Sequence, residues 1–358
     1  SEHVCKHLRR TIMRNFLIMA LAALTLACTP EPSIDVLCTT SVVADAARQL
    51  LPEEISVQAL MQSNIDPHSY KPVESDVAKL SNAGVILHNG LHLEGKMTDI
   101  LEKVGQQKPV YAMSSALRSH DLIEVGPNTY DPHIWFDLQL WNRCVGELAL
   151  FLKGEFPQHS AAIDSNAMDY FSELVAAHDE FVLAINEVPD SVRALVTAHD
   201  AFSYFGRAYG IEVHGLQGIS TAAEFGIRDM TSSAQFILDR NLSTVFIETS
   251  VNSKSIEALQ EAVEQKGGKV RIGAPLFSDA LGAEGTPEAT LIGAFTHNTT
   301  QILKSFNLDK FRPKFFTIEH NFTENESKID ELLIMNGYVR IFRKLTTFDA
   351  WYIQKEDL

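Results

Sequence analysis

The sequence has few cysteines, a deficit of positive charge and no apolar run long enough to cross a membrane. Only four of its 358 residues are cysteine, which excludes a fold built on disulfides. Lysine and arginine number 30 against 46 acidic residues, a net charge of −16, so a basic face for a nucleic-acid partner is not expected. The apolar run at 16–27 is about 12 residues long, whereas a transmembrane helix needs roughly 20. Hydrophobic residues still make up 45% of the chain, so we expect a soluble globular protein with one or two sizeable cores.

Residues 13–28 have the pattern of an export signal. Arg14 supplies a positive charge, the apolar run FLIMALAALTLA follows, and Cys28 comes directly after it. The residues LTLAC resemble a bacterial lipoprotein cleavage box, in which Cys28 becomes the acylated N-terminus. Plain secretion with cleavage nearby, or a buried apolar helix, are the alternatives. We therefore expect an extracytoplasmic protein, in the periplasm or at the cell surface, anchored through a lipidated Cys28, with residues 1–33 as leader, signal peptide and spacer.

Strand-like apolar segments alternate with segments of helical periodicity in two blocks of the chain. The first block has strand-like 34–39, 55–60 and 84–88 and helix-like 42–51, 73–81 and 96–104. The second block has strand-like 193–197, 211–215, 244–248 and 269–272 and helix-like 228–241 and 253–266. This alternation predicts an α/β fold with parallel sheets.

A long helical stretch separates the two blocks. Residues 161–187 run 27 residues without glycine or proline, which predicts a rod of about 40 Å. We therefore predict an N-terminal α/β lobe at 34–137, a helical linker with one long backbone helix at 138–190, and a C-terminal α/β lobe at 191–308. A single helical connector predicts little hinge bending, because a helix resists bending.

Three histidines and one aspartate lie in turns that follow strands: His68 in IDPHSY, His133 in YDPHIWF, His199 in VTAHDAF and Asp279 in PLFSDAL. Open α/β sheets bind ligands beyond the carboxyl ends of their strands, so two facing lobes would bring these turns together as a four-ligand cation site. In the two Asp-Pro-His turns, proline presents the imidazole from a rigid backbone, and each aspartate is a candidate acceptor for an imidazole N–H. The spacing alone is weak evidence, since a single histidine in a turn is more often a surface or hydrogen-bonded residue.

Longer stretches around these turns resemble a known family. In order between residues 34 and 306 come IDPHSYKPVESDVAKL, NGLHLEGKM, DPHIWFDLQLW, TAHDAFSYFGRAYGIEVHGLQGISTAAEFGIRDM and IETSVNSKSIEAL. These segments are similar to the zinc- and manganese-binding solute receptors of bacterial ABC transporters, the ZnuA/TroA-like family. The resemblance implies two α/β lobes on a long backbone helix, with one metal in the cleft between the lobes and ligands at His68, His133, His199 and Asp279. It implies capture rather than catalysis: the receptor, expected as a monomer, binds one Zn²⁺ and/or Mn²⁺ as cargo and delivers it to a membrane permease.

The donor set leaves the physiological metal open between zinc, manganese and iron. Three neutral imidazoles and one carboxylate suit tetrahedral Zn²⁺, and with a bidentate carboxylate they also suit Mn²⁺ or Fe²⁺. Many zinc members of the family carry a histidine-rich loop before the second ligand, whereas residues 114–130 here hold only His120. Some manganese members place glutamate at the third ligand position, which here is His199. Because an imidazole must be neutral to bind a metal, we expect binding to fall below about pH 6.5.

Two other functions are compatible with a metal site. A metal-dependent surface adhesin is a role suggested for some relatives. A mononuclear zinc hydrolase is disfavoured, because four protein ligands leave no open coordination position and the chain has no H-E-x-x-H or G-x-S-x-G motif. Outside the four ligands, His92 is a candidate for a role beside the metal or at the lobe interface, with an ordinary polar contact as the alternative. Cys38 and Cys144 are expected as free buried thiols or, alternatively, a disulfide.

Residues 309–358 extend beyond the usual end of this family. They are strand-like at 314–319, helix-like at 326–336 and strand-like at 338–342, and they resemble the C-terminal end of a family of S-adenosylmethionine-dependent methyltransferases over this fragment only. No G-x-G-x-x-G loop follows a strand in the chain, so methyl transfer is not inferred. A gene-fusion remnant and a pairing module are the open interpretations of this extra C-terminal segment.

Overall fold

The structure, a computed structural model, describes residues 34–222, 226–306, 315–319, 326–335, 337–341 and 349–355. The predicted leader, signal peptide and Cys28 lie outside these residues. Among the described residues, no helix combines the length and the apolar character needed to cross a membrane.

A four-stranded parallel sheet forms the centre of the N-terminal lobe. Its strands are β1 (Val36–Cys38), β2 (Val57–Ala59), β3 (Val85–His88) and β4 (Val110–Ala112), in the order β2-β1-β3-β4. The helices α1 (Ser41–Leu50), α2 (Glu74–Asn82) and α3 (Thr98–Gly105) make the crossovers. The central strand β1 is wholly buried, as expected for a parallel sheet covered on both faces. Thr40 caps α1 by accepting a hydrogen bond from the Val43 amide at 3.3 Å.

A helical region connects the lobes, and its second helix is the long backbone helix. A short antiparallel hairpin of β5 (Glu124–Gly126) and β6 (Thr129–Tyr130) leads into α4 (Leu138–Glu155). After a 3-10 turn at Pro157–His159, α5 (Ser160–Asn186) runs for 27 residues. It lies one position before the predicted helix. Its buried side chains recur at helical spacing along one face and join a core that extends from one lobe to the other: Ile163, Ala167, Tyr170, Leu174, Phe181 and Ile185.

The C-terminal lobe repeats the parallel arrangement with shorter strands. The strands β7 (Ala194–His199) and β8 (Glu212–Gln217) form one parallel pair, and β9 (Thr244–Val245) and β10 (Arg271–Ile272) form another. The Phe246 amide donates to the Val196 carbonyl at 2.9 Å and connects the two pairs. Of the predicted strand 244–248, only Thr244–Val245 forms a regular strand. Glu248, at the end of the predicted strand, makes an isolated parallel bridge with Leu276.

Four helices complete this lobe: α6 (Ser203–Tyr209), α7 (Ile227–Asp239), α8 (Lys254–Gln265) and α9 (Leu291–Ser305). The helices α7 and α8 share a separate hydrophobic cluster with the sheet. In contrast, α9 packs against α5 and α1, so this helix extends the core that the two lobes share. The predicted fold, two α/β lobes with parallel sheets joined by one long backbone helix, is confirmed.

The C-terminal segment adds a small antiparallel sheet. Its strands are β11 (Phe315–Glu319), β12 (Tyr338–Ile341) and β13 (Asp349–Gln354), in the order β11-β13-β12, with α10 (Glu326–Met335) between the first two along the chain. The buried Tyr352 hydroxyl donates to Asp330 at 2.5 Å, and Arg340 pairs with the same carboxylate at 3.0 Å. The predicted strand, helix and strand are present, and the methyltransferase resemblance stays a prediction.

Candidate metal centre

The four predicted ligands come together in one buried cluster between the lobes. His68, His133, His199 and Asp279 each offer an atom within 4.8 Å of the others. The Nε2 atom of His133 lies 3.2 Å from Nε2 of His68 and 3.4 Å from Nε2 of His199. The Asp279 carboxylate faces all three rings, with Oδ1 3.2 Å from His133 Nε2 and 3.9 Å from His68 Nε2, and Oδ2 3.4 Å from His199 Nε2.

These separations have the size of the edges of a coordination polyhedron. Donor atoms placed about 2.0–2.1 Å from a tetrahedral zinc ion lie about 3.3–3.4 Å from one another. Apart from the imidazoles of the cluster, the buried Oδ1 atom of Asp279 has no hydrogen-bond partner among the described residues, although an unpaired buried carboxylate oxygen is costly. In the part of the chain that the structure describes, this is the one cluster of three or more such side chains. Both observations fit a cation between the four side chains.

The first Asp-Pro-His turn fixes the backbone of His68. The Oδ1 atom of Asp66 accepts from the His68 amide at 2.9 Å. Its Oδ2 atom accepts from the hydroxyl of Ser69 at 2.7 Å and from that of Thr221, on the other lobe, at 2.6 Å. In the described residues Asp66 makes no hydrogen bond to the His68 ring, so the expected contact with the imidazole N–H is not found for this aspartate, which binds backbone and hydroxyl donors instead.

The second Asp-Pro-His turn fixes both the backbone and the ring of His133. The Oδ1 atom of Asp131 accepts from the His133 amide at 2.9 Å and lies 2.7 Å from His133 Nδ1. Both residues are fully buried. Since a carboxylate on Nδ1 leaves the lone pair of Nε2 free for a metal, the expected role of Asp131 agrees with the geometry.

The NGLHLEGKM segment supports this second turn through residues other than His92. The Asn89 side-chain amide donates to the Pro132 carbonyl at 2.9 Å. The carboxylate of buried Glu94 accepts from the Thr39 hydroxyl at 2.6 Å and from the backbone N–H of Asn89 at 2.8 Å. His92 itself is exposed, with φ at 63°, and it does not join the cluster, so the candidate role beside the metal is not found.

The third histidine has a carboxylate partner that sequence reasoning missed. The Oε1 atom of Glu248 accepts from the His199 amide at 2.9 Å, and Oε2 lies 2.6 Å from His199 Nδ1. Glu248 ends the buried segment that follows β9, inside the IETSVNSKSIEAL stretch. An acidic residue at the carboxyl end of a buried strand is the signal that could have identified it. Gly215 on β8 permits the close approach of this turn, because a Cβ there would lie 2.4 Å from the Asp200 amide nitrogen.

The fourth ligand lies on the loop between β10 and α9. The Ser250 hydroxyl is 3.4 Å from Asp279 Oδ2, the single side-chain hydrogen bond to this carboxylate from outside the cluster among the described residues. The neighbouring Ser278 carbonyl accepts from the indole N–H of Trp135, on the N-terminal lobe, at 3.2 Å. Asp279 is 1% exposed.

The charges within the cluster divide the histidines into two kinds. Burial lowers the pKa of His68 to about 4, so this ring is neutral at pH 7. Burial also opposes protonation of His133, but the Asp131 and Asp279 carboxylates outweigh it and raise the pKa to about 9. In His199, burial is likewise outweighed by Glu248 and Asp279, which raise the pKa well above its ordinary value. Burial opposes ionisation of Asp279, yet the three imidazoles hold its pKa well below the ordinary range.

We therefore expect the rings of His133 and His199 to carry one extra proton each at neutral pH when no metal is bound. A metal ion must displace both protons, because a protonated ring has no lone pair to offer. Exchange of two protons for one divalent cation leaves the net charge of the buried site unchanged. The electrostatics of the cluster therefore suit a divalent ion.

Two histidines outside the cluster make ordinary polar contacts, and the two buried cysteines are unpaired. His178 on α5 contacts Gln139 at 2.9 Å and Tyr209 at 3.1 Å. His214 contacts the Ser233 hydroxyl at 2.8 Å. Cys38 and Cys144 are free buried thiols, so the alternative of a disulfide between them is wrong.

Two α/β lobes with three imidazoles and one carboxylate buried between them define a two-lobed metal-binding protein. The chain belongs to the ZnuA family, zinc-uptake complex component A, periplasmic, whose model matches residues 36–305. It is 42% identical over 276 residues to the manganese-binding lipoprotein MntA of Bacillus subtilis (strain 168), covering 77% of this chain and 90% of that protein.

Solved structures agree with this membership. The periplasmic zinc-binding protein TroA from Treponema pallidum has a TM-score of 0.74 at 39% identity, over 75% of this chain and 98% of TroA. Fe(III)-bound YtgA from Chlamydia trachomatis has a TM-score of 0.69 at 28% identity, over 76% of this chain and 97% of YtgA. The resemblance predicted from the motifs is confirmed, and the chain is a solute receptor rather than an enzyme.

Proposed function

We propose that this protein captures one divalent transition-metal ion between its lobes, with His68, His133, His199 and Asp279 as ligands, and delivers it to the membrane permease of an ABC transporter. The observation that carries the proposal is the buried cluster itself, in which four donors lie at the spacing of a coordination sphere and Asp279 Oδ1 has no hydrogen bond from outside the cluster among the described residues. The ion is cargo and takes part in no reaction.

The cargo we propose is zinc and/or manganese. The names of the relatives divide between manganese for MntA, zinc for TroA and Fe(III) for YtgA. Both oxygens of Asp279 face imidazoles, so the cluster offers four or five donor atoms. Four donors suit Zn²⁺ and five suit Mn²⁺, and the Irving–Williams order favours Zn²⁺ in affinity whichever ion is the physiological cargo.

The protein acts outside the cytoplasm, as its relatives do by name: periplasmic for TroA and lipoprotein for MntA. We further propose that Cys28 is acylated and anchors the mature chain to a membrane, and that the receptor acts as a monomer. Mass spectrometry of the N-terminal peptide from membrane fractions tests the first point, since acylation adds the mass of the lipid to Cys28. A sedimentation mass of twice the chain mass would contradict the second.

The ligand assignment is tested by metal content and titration. Protein purified from its native compartment without added metal is expected to contain one equivalent of zinc or manganese, and alanine at any of the four ligands should weaken metal binding greatly in titrations. His214→Ala is the matched control, because this histidine lies outside the cluster and contacts Ser233. Two or more ligand variants with the stoichiometry and affinity of the wild type would refute the assignment.

A further inference from the structure

The loop that carries Asp279 belongs to the C-terminal lobe but bonds to the N-terminal lobe on both sides of the ligand. On one side, Trp135 donates to the Ser278 carbonyl at 3.2 Å. On the other side, the Leu281 amide donates to the hydroxyl of Ser41 at 2.9 Å. At the end of the loop, the Leu291 amide donates to Asp45 Oδ2, also at 2.9 Å. The acceptors Ser41 and Asp45 both lie on α1, four residues and one helical turn apart, so they share one face.

Asp45 binds the Leu291 amide through a buried carboxylate. It is 3% exposed and lies at the first residue of α9, where a negative charge is favoured by the unpaired amides of the helix. Tyr170 on α5 and Gln49 on α1 lie 3.4 Å and 3.2 Å from its oxygens. A buried charge is costly unless it is bonded, and the Leu291 amide is its one backbone donor among the described residues.

The position of the Asp279 side chain depends mainly on its own backbone. The buried rings of His133 and His199 depend less on theirs, because carboxylates also hold them. Those two rings each have a carboxylate within 2.7 Å of Nδ1. The nearest side-chain donor outside the cluster to the Asp279 carboxylate is the Ser250 hydroxyl at 3.4 Å. The orientation of this ligand is therefore set mainly by where the loop backbone lies, and α1 of the opposite lobe bonds that backbone two residues after the ligand.

We infer that Ser41 and Asp45 are positioning residues for Asp279, which hold the ligand loop in place from the N-terminal lobe through the amides of Leu281 and Leu291. The inference rests on the proposed function, since it assigns a role to residues that contact no metal. Without the Ser41 hydroxyl, the Leu281 amide loses its acceptor and the loop can shift, so the carboxylate binds the ion less well. The loss of one such hydrogen bond corresponds to about a fivefold weaker affinity.

The test compares Ser41→Ala with Asn166→Ala in the full chain. The Asn166 side chain donates to the Leu50 carbonyl at 3.1 Å, so its variant also loses one hydrogen bond to α1, but that bond does not involve the loop. Zn²⁺ affinity is measured by competition with a chelator, and the visible absorption of bound Co²⁺ reports the ligand geometry. We expect Ser41→Ala to bind Zn²⁺ about fivefold more weakly with an altered Co²⁺ spectrum. Asn166→Ala and Ser41→Thr, which keeps the hydroxyl, should resemble the wild type.

A second measurement separates positioning from general destabilisation. If Ser41 acts through Asp279, then Ser41→Ala should weaken Zn²⁺ binding in the wild type but not in an Asp279→Ala background. Asp45→Ala, which removes the acceptor of the Leu291 amide, should show the same dependence. The inference is overturned if Ser41→Ala matches Asn166→Ala in affinity and spectrum, or if its effect persists without Asp279. A wild-type protein that binds no Zn²⁺ would instead refute the proposed function.

Discussion

Metal affinity should depend steeply on pH, and more steeply than ordinary histidines would give. The pKa of His133 is raised to about 9 and that of His199 is raised well above its ordinary value, so both rings hold protons at pH 7. The pKa of His68 is lowered to about 4, so its ring is already free. Protons and metal compete for the same nitrogen atoms, and therefore affinity must fall as the pH falls.

The magnitude follows from the number of protons displaced. Each displaced proton changes the binding constant about tenfold per pH unit, or about 1.4 kcal/mol. Two protons between pH 8 and pH 6 therefore weaken binding by about 10⁴-fold. Three histidines with the ordinary pKa of about 6.5 would lose only about 10²-fold over the same range. The carboxylates beside His133 and His199 raise the pKa of both rings, so the expected decline begins above pH 6.5 rather than below it.

Calorimetry can count these protons directly. Titration of the metal-free protein at pH 7, in buffers of different ionisation enthalpy, should give a release of about two protons per Zn²⁺ bound. Glu248→Gln should reduce the count towards one, because it removes the carboxylate that lies 2.6 Å from His199 Nδ1. His214→Ala, outside the cluster, should leave the count unchanged. Release of no protons at pH 7, or equal affinity at pH 6 and pH 8, would refute the charge assignment.

Further predictions concern stability and backbone geometry. Removal of metal by a chelator should lower the melting temperature. Free Zn²⁺ at 1,000 times its Kd should then add about 4 kcal/mol to the free energy of unfolding, measured by calorimetric scans. Equal stability with and without metal would contradict a site that forms only on folding. Gly215→Ala should weaken Zn²⁺ binding at least tenfold, because the added Cβ would lie 2.4 Å from the Asp200 amide nitrogen, next to His199. Gly154 is exposed and has open space around the position of a Cβ, so Gly154→Ala should bind Zn²⁺ as the wild type does. Phe205→Ala should cost about 3–5 kcal/mol in urea unfolding, because this ring is fully buried in the core that the lobes share, and a loss below about 1 kcal/mol would show that the core is less tightly packed there.

The strong periodic segments of the chain could be predicted from sequence, and the weak ones could not. The helix predicted at 161–187 is found at Ser160–Asn186, because 27 residues without glycine or proline leave the helix uninterrupted and its buried positions recur at helical spacing over about six turns. The strands β4, β5 and β6 were not predicted. They are two or three residues long and lie at partly exposed positions, so they leave too few alternating residues to form a pattern.

The aspartates of the two Asp-Pro-His turns bind different partners. Which partners they bind depends on the tertiary structure and cannot be seen in the motif itself. In both turns, the aspartate accepts from the histidine amide at 2.9 Å. Asp131 also binds the ring of His133, whereas Asp66 instead accepts from Ser69 and from Thr221 of the other lobe. Sequence gives the turn and the candidate acceptor, but not the hydroxyl that arrives from residue 221. The same limit applies to Glu248, which lies 49 positions along the chain from the histidine that it orients.

The charge balance of the buried cluster connects these observations with the choice of ion. Two protons carry two positive charges. Exchange for an alkali ion would lower the net charge of the site by one and exchange for a trivalent ion would raise it by one, whereas exchange for a divalent ion leaves it unchanged. Among divalent ions, Mg²⁺ and Ca²⁺ prefer sites built from oxygen, and three of the four side chains here offer nitrogen. Divalent transition metals satisfy both conditions. The carboxylates beside His133 and His199 raise the pKa of both rings, so we expect a divalent ion to replace one proton on each ring and to bind without a change in the net charge of the site.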